Sequence, residues 1–271
     1  MALPSAFRLL AIVLISAVAG AINSIAGGGT LLTFPALIGL GIVPLVANAT
    51  STVALWPGSF ASMMGYRAEL HGSLRWAIGF AVPSLIGGGV GAWLLLRTPP
   101  ARFDLIVPWL VLGATALFIL QPRIVRSIQR RRADSIADEE AVAATDQTSN
   151  GSLPAPGVLV LQFFVGVYGG YFGAGAGIIM LAALGFIGLT NIHRMNGLKN
   201  WGGLCMNAVA AITFAFSSLV SWPIALAMAV GSISGGYLAS QGVQKVDQKH
   251  VRWLVIAIGL LGGLWLLMHK S

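Results

Sequence analysis

This chain has very little charge. Asp, Glu, Lys and Arg make up 9% of its 271 residues, where an average soluble domain carries about 25%. Between residues 123 and 146 five arginines accompany five acids, which leaves 11 basic and 3 acidic residues for everything else, too few to coat a surface in water. The formal charge of +8 is therefore not the basic face of a nucleic-acid-binding module. The positives sit mostly between apolar runs, where they orient a chain in a bilayer. Cysteine is nearly absent too. Cys205 alone excludes an intramolecular disulfide and a multi-cysteine metal knuckle, and beside Gly202 and Gly203 it reads as a small packing residue. The four histidines stand at segment ends without an HExxH or clustered pattern, and no pair of acids falls inside an apolar run. Metalloprotease chemistry and a buried carboxylate relay thus lack their residues. No enzyme activity, no metal site and no cofactor are expected.

What the chain has in abundance is apolar residues, 56% of the total. They fall in ten runs, at about 8–22, 30–42, 44–65, 76–96 and 103–121, then 155–172, 175–189, 195–219, 222–241 and 252–268. None alternates as a barrel strand would, so the fold class is an all-α polytopic membrane protein. A helix needs about 20 residues to cross ~30 Å of hydrocarbon; six runs reach or approach that, and four are shorter. The short ones form two pairs, 8–22 with 30–42 and 155–172 with 175–189. Each pair is joined by glycine, so it is either two tilted spans or a broken, partly re-entrant hairpin. Arg8 and the apolar stretch behind it have the outline of a secretory leader, yet apolar character resumes right after the glycines, and a retained span is expected.

The one hydrophilic excursion runs from residue 121 to 157. Arg130, Arg131 and Arg132 sit just past a span and place it in the cytoplasm; it reads as a linker with a short surface helix at its start. On either side the pattern repeats. An offset of 148 places Gly27 on Gly175, Gly29 on Gly177 and Asn48 on Asn196. The organisation expected is a first transmembrane repeat at 1–121, a cytoplasmic linker at 122–154 and a second repeat at 155–271. An odd number of crossings per half makes the repeats inverted, whether the total is ten or, with re-entrant pairs, six. Residues 67–75, 193–199 and 245–252 then lie inside with the linker, as the positive-inside rule asks, whereas Arg97 and Arg102 lie outside.

The stretch Asn23-Ser24-Ile-Ala-Gly27-Gly28-Gly29-Thr30 holds too much glycine for a continuous helix. Glycine costs about 1 kcal/mol relative to alanine within a helix, and three in succession mark an unwound segment. Unwound backbone in hydrocarbon must face protein or a wet cavity. The amides of Gly28, Gly29 and Thr30 would open a half-helix whose N-terminus attracts an anion, and Gly173-Ala-Gly175-Ala-Gly177 offers the same from the other repeat. The structural alternative is close helix packing through small residues. A nucleotide loop is excluded, since no Gly-Lys-Ser/Thr ending is present. The span after each break carries polar residues: Asn48, Thr50, Ser51 and Thr52 in the first half, Asn196, Lys199 and Asn200 in the second, with Arg194 a turn earlier. An ammonium in an apolar span needs an anion, a carboxylate or a carbonyl. Lys199 is expected to contact the anion, the alternative being a lysine that snorkels to the headgroups; Arg194 reads as snorkelling. Pro57, in Trp56-Pro57-Gly58, should kink its span and bring that place to the central cavity.

The first-half pattern runs from Gly20 through Gly27-Gly28-Gly29, Pro35 and Gly39 to Asn48-Ala-Thr50-Ser51. The second runs Gly169-Gly170-Tyr-Phe-Gly173-Ala-Gly175-Ala-Gly177, then Asn196-Gly-Leu-Lys199-Asn200. Together they resemble the sulfite exporter TauE/SafE family of prokaryotic membrane proteins, over essentially the whole chain except the linker. Two departures, Ala176 where a further glycine is usual and Ala183 at the offset of Pro35, make the second half-site less open or less symmetric. The resemblance implies an inner-membrane transporter with duplicated halves, and small sulfur-containing or organic anions such as sulfite, sulfoacetate or related sulfonates as substrates. The combined reading is a secondary transporter, an exporter, in the bacterial cytoplasmic (inner) membrane, changing access by rocking one repeat against the other. Its substrate-binding residues would be Asn23, Gly27, Gly28, Gly29, Thr30, Asn48, Thr50, Ser51, Gly173, Gly175, Gly177, Asn196, Lys199 and Asn200. Its partners would be a small anionic solute and membrane lipids, with no nucleic acid; proton coupling and a homodimer are left open. A selective anion channel and an assembly factor that moves no solute are the alternatives.

Overall fold

A computed structural model of the chain describes residues 6–25, 27–67, 74–136, 154–186, 189, 192–241 and 248–268. Among them are ten helices: α1 (Ala6–Ile25), α2 (Thr30–Gly39), α3 (Pro44–Gly65), α4 (Leu74–Arg97), α5 (Pro100–Ile136), α6 (Pro156–Tyr171), α7 (Ala176–Phe186), α8 (Ile192–Ala215), α9 (Trp222–Ser240) and α10 (Gln248–Met268). They match the ten apolar runs one for one. The rest of the linker at 137–153 lies outside the described residues, as do His71, Lys245, Asp247 and His269. The surface helix expected at the start of the linker is the continuation of α5, which runs on past Pro122 to Ile136.

Local chemistry sets the helix ends. Pro44, Pro156 and Pro223 stand in the first turns of α3, α6 and α9, where the missing amide has no intrahelical role and φ is already helical. Helix α1 stops at Gly27, φ 79°, whose amide donates back to Ile22 O at 3.1 Å; α6 stops at Gly173, φ 80°, whose amide donates back to Tyr168 O at 3.1 Å. Glycine takes this left-handed conformation without strain. These bonds revise the repeat register. At the break Gly27 matches Gly173, an offset of 146, and the bonds of Leu32 and Thr33 to Gly29 O match those of Ile178 and Ile179 to Gly175 O. The offset of 148 holds for α3 and α8, which begin at Pro44 and Ile192. The second half therefore has two more residues between its break and its next helix.

Four helices are long and apolar enough to cross a membrane, over Arg8–Ile25, Arg75–Arg97, Pro100–Ser127 and Trp222–Ser240. Helices α3 and α8 have the length, 22 and 24 residues, but not the apolarity, because they carry the polar residues of the interior. Helices α2 and α7, with 10 and 11 residues, reach only about 15 Å, half the hydrocarbon thickness. Trp109, Phe164, Leu226, Trp253 and Leu261 are large, apolar and exposed, as a lipid-facing surface requires. At the end of α4 the Arg97 guanidinium lies 5.1 Å from the Trp93 ring centre, a cation–π contact that gives this arginine a partner on its own helix. The chain is an all-α, multi-pass membrane protein.

The helices pack across the two halves of the chain. Helix α1 packs on α9 as α6 packs on α4, α3 on α9 as α8 on α4, and α2 on α10 as α7 on α5; α3 meets α8 and α5 meets α10. The two tightest seams are lined by glycine. A methyl group at Gly231 or Gly235 would strike the carbonyls of Val13 and Ala17 on α1, and one at Gly87 or Gly91 would strike those of Phe163 and Val167 on α6. Without a hydrophobic effect between helices in lipid, such backbone proximity supplies the van der Waals contact. Gly235→Leu should therefore force α1 and α9 apart and cost about 1–3 kcal/mol or more, seen as a lower thermal midpoint in detergent. Gly113→Ala, where an added methyl group meets open space, should leave the stability unchanged or raise it by up to ~1 kcal/mol, seen as an equal or higher midpoint.

Candidate functional site

Helices α3 and α8 cross where Trp56 Nε1 donates to Leu204 O at 3.3 Å. These residues are 148 apart, the same separation as the first residues of α3 and α8. Beside this crossing the two glycine breaks touch: a Cβ at Gly27 would lie 2.6 Å from Gly177 Cα, and one at Gly177 would lie 2.8 Å from Gly27 Cα. Between breaks and crossing lies a cavity of about 40 Å³, enough for a few waters or one compact anion. Its wall is polar, from Asn23, Thr30, Thr52, Ser59, Ser62, Lys199, Asn200 and Asn207, with Leu55 and Met206 as apolar facets.

Each broken helix end is held by the opposite half. Helix α1 ends inside the protein with carbonyls that no amide of its own can reach. Lys199 Nζ, on α8, donates to Ser24 O at 2.9 Å and to Ile25 O at 3.1 Å, and Asn200 Nδ2 donates to Ser24 O at 3.2 Å. Helix α6 receives the reciprocal contact from α3, where Asn48 Nδ2 donates to Tyr171 O at 2.9 Å. Lys199 is 2% exposed, so it does not snorkel to the headgroups. Its charge meets the C-terminal end of α1, equivalent to roughly half a negative charge. Arg194 is also buried, 7% exposed, against the expectation that it snorkels, because α8 is an interior helix packed on α3, α4, α6 and α7.

Of the residues singled out from sequence, Asn23, Gly27, Thr30, Gly173, Gly177, Lys199 and Asn200 line the cavity. The others lie outside its wall. Thr50 Oγ1 accepts from the Ser221 amide at 3.1 Å and ties the start of α9 to α3. Gly28 packs on the Phe118 ring, Gly29 on the Ala19 carbonyl and Gly175 on Ala114. Ser51 Oγ, Asn48 Oδ1 and Asn196 Oδ1 are buried without a hydrogen-bond partner. Among the described residues no carbonyl accepts from the amides of Gly28, Gly29 or Thr30. Trp56, Pro57 and Gly58 do not line the cavity. Helical rotation aims Gly58 at Ser232 on α9 and leaves Leu55 and Ser59, on either side of them, on the cavity face. Leu55, Ser59, Ser62, Gly203, Met206 and Asn207 were missed by sequence reasoning. They extend the faces of Thr52 and Lys199 at spacings of three and four, a periodicity that could have found them.

Removing the lysine should expose the cost of an uncapped helix end. Lys199→Met leaves the Ile25 carbonyl without its donor and should destabilise the protein by about 1–3 kcal/mol. Lys199→Arg, which can still donate, should lose less; midpoints in detergent check both.

The Sulfite exporter TauE/SafE family model matches residues 12–266. A probable membrane transporter protein of Sinorhizobium sp is 28% identical over 261 residues, covering 94% of this chain and 91% of the relative. A probable membrane transporter protein of Haemophilus influenzae is 26% identical over 245 residues, 90% of this chain and 88% of the relative. One from Escherichia coli K12 is 27% identical over 254 residues, 90% and 84% respectively. No solved structure matches. A multi-pass helical chain whose two glycine breaks meet at a polar cavity, and whose sequence fits this model almost from end to end, belongs to the sulfite exporter TauE/SafE family of membrane transporters and is not an enzyme.

Proposed function

We propose that the chain is a secondary transporter, working by alternating access, that exports a small organosulfur or related organic anion across the bacterial inner membrane. The observation that carries this reading is the placement of Lys199 in the wall of a polar cavity between the two glycine breaks. It is the one ionisable side chain among the residues lining the cavity, so a bound anion meets one positive charge and a ring of neutral donors. Asn23, Thr52, Ser59, Asn200 and Asn207 can donate to its oxygens, while Met206 and Leu55 suit an apolar substituent or sulfur.

The exchangeable packing of the two halves supports inverted repeats at 1–121 and 155–271, with α2 and α7 as the re-entrant arms. Moving one whole repeat against the other would open both glycine seams, since each seam joins helices of different halves. The bodies that fit the packing are mixed: α1, α3 and α9 against α4, α6 and α8, meeting at the α3–α8 crossing with the cavity between them.

Reconstitution in proteoliposomes tests the proposal. Uptake of sulfite or sulfoacetate should saturate and show counterflow, with taurine, sulfate and simple carboxylates as comparisons. Asn207→Ala should raise the half-saturating concentration tenfold or more, the scale of a lost hydrogen bond to a charged group. A non-saturating conductance would replace the carrier with a channel. No flux for any anion, with a protein partner retained through purification, would replace it with an assembly factor.

A further inference from the structure

The two broken helix ends are held by different chemistry. At the end of α1, Lys199 Nζ donates to two carbonyls and Asn200 adds a third bond. At the end of α6 the bond to Tyr171 O comes from a neutral amide, that of Asn48. The offset of 148 that relates α3 to α8, set by their first residues and by the Trp56–Leu204 bond, puts Ser51 at the position of Lys199. Where one half brings an ammonium, the other brings an oxygen. Ser51 Oγ has no hydrogen-bond partner, nor has Asn48 Oδ1 one turn before it, and both residues are 0% exposed. Asn48 is held against the end of α6 by its amide nitrogen, so its oxygen is fixed beside that helix end. Two buried, unpartnered oxygens one turn apart on α3, the first on the residue bonded to the negative pole of α6, are suited to ligate a cation.

We propose that a sodium ion binds at the end of α6, ligated by Asn48 Oδ1, Ser51 Oγ and last-turn carbonyls of α6, in the place that Lys199 Nζ fills at the end of α1. The ligands are neutral oxygens. They suit a monovalent ion, whereas calcium and magnesium recruit carboxylates, and helix C-termini at discontinuous helices are used for sodium in this way. The site itself stands apart from the anion reading. The part sodium plays in transport, offsetting the solute's charge as it crosses, rests on that reading.

Thermal unfolding in detergent tests the site, titrating sodium chloride against choline chloride at constant ionic strength. The wild-type midpoint should rise saturably with sodium and not with choline. Ser51→Ala should weaken the apparent sodium affinity at least tenfold, and Ser51→Thr, which keeps the hydroxyl, should preserve it. Ser51→Lys should unfold at the same temperature with or without sodium, its ammonium taking the ion's place. No sodium-specific rise in wild type overturns the proposal, as does a Ser51→Ala titration like the wild type or a sodium response that survives in Ser51→Lys. Anion uptake with and without sodium separates the two readings: saturable flux without any sodium binding retires the site alone, and sodium binding without flux of any anion retires the carrier alone.

Discussion

A helix that stops inside a protein leaves its last carbonyls without amides, and this structure is organised around where those carbonyls find donors. At these buried ends the donors come from other helices. For α1 they come from Lys199 and Asn200 on α8, and for α6 from Asn48 on α3. The supply is thus reciprocal. It obliges α3 and α8 to carry polar side chains, whose faces turn to the interior, while their exposed apolar residues Phe60, Met64 and Ile212 lie on the outer surface with the apolar helices α1, α4, α5 and α9.

The same constraint accounts for the electrostatics of the cavity. Among the residues lining it no carboxylate balances Lys199, and the ammonium is held by carbonyl dipoles instead. Dipoles stabilise the charge without cancelling it, so the cavity keeps a positive character that a buried ion pair would have removed.

Much of this was legible in the sequence and some of it was not. The ten helices follow from the apolar runs because, in a membrane, apolarity over a given length nearly determines the element. The breaks at Gly27 and Gly173 follow from the cost of glycine in a helix. The faces of α3 and α8 could have been read further, since Ser59, Ser62 and Asn207 repeat at helical spacing. Three features lay beyond reach for physical reasons. The donors to α1 stand 174 to 176 residues away from their acceptors, and no local pattern announces such a pairing. The two-residue difference in register at the break is invisible where Gly-x-Gly can be superposed at either offset. The seams of α9 and α4 are written as Gly231-xxx-Gly235 and Gly87-xxx-Gly91, a spacing that signals close packing but does not name the partner helix.

The glycine seams also bear on how the molecule is made. Helix α1 emerges well before its partner, since the surface that fits its carbonyls at Val13 and Ala17 belongs to α9, more than 200 residues later. During synthesis α1 has α2 and α3 to pack on but must wait for α9, and its break at Gly27 waits with it for Lys199. The amino-terminal half cannot reach its final packing before the carboxy-terminal half has been inserted, so maturation of this protein is a late, concerted closure rather than the successive folding of two finished halves.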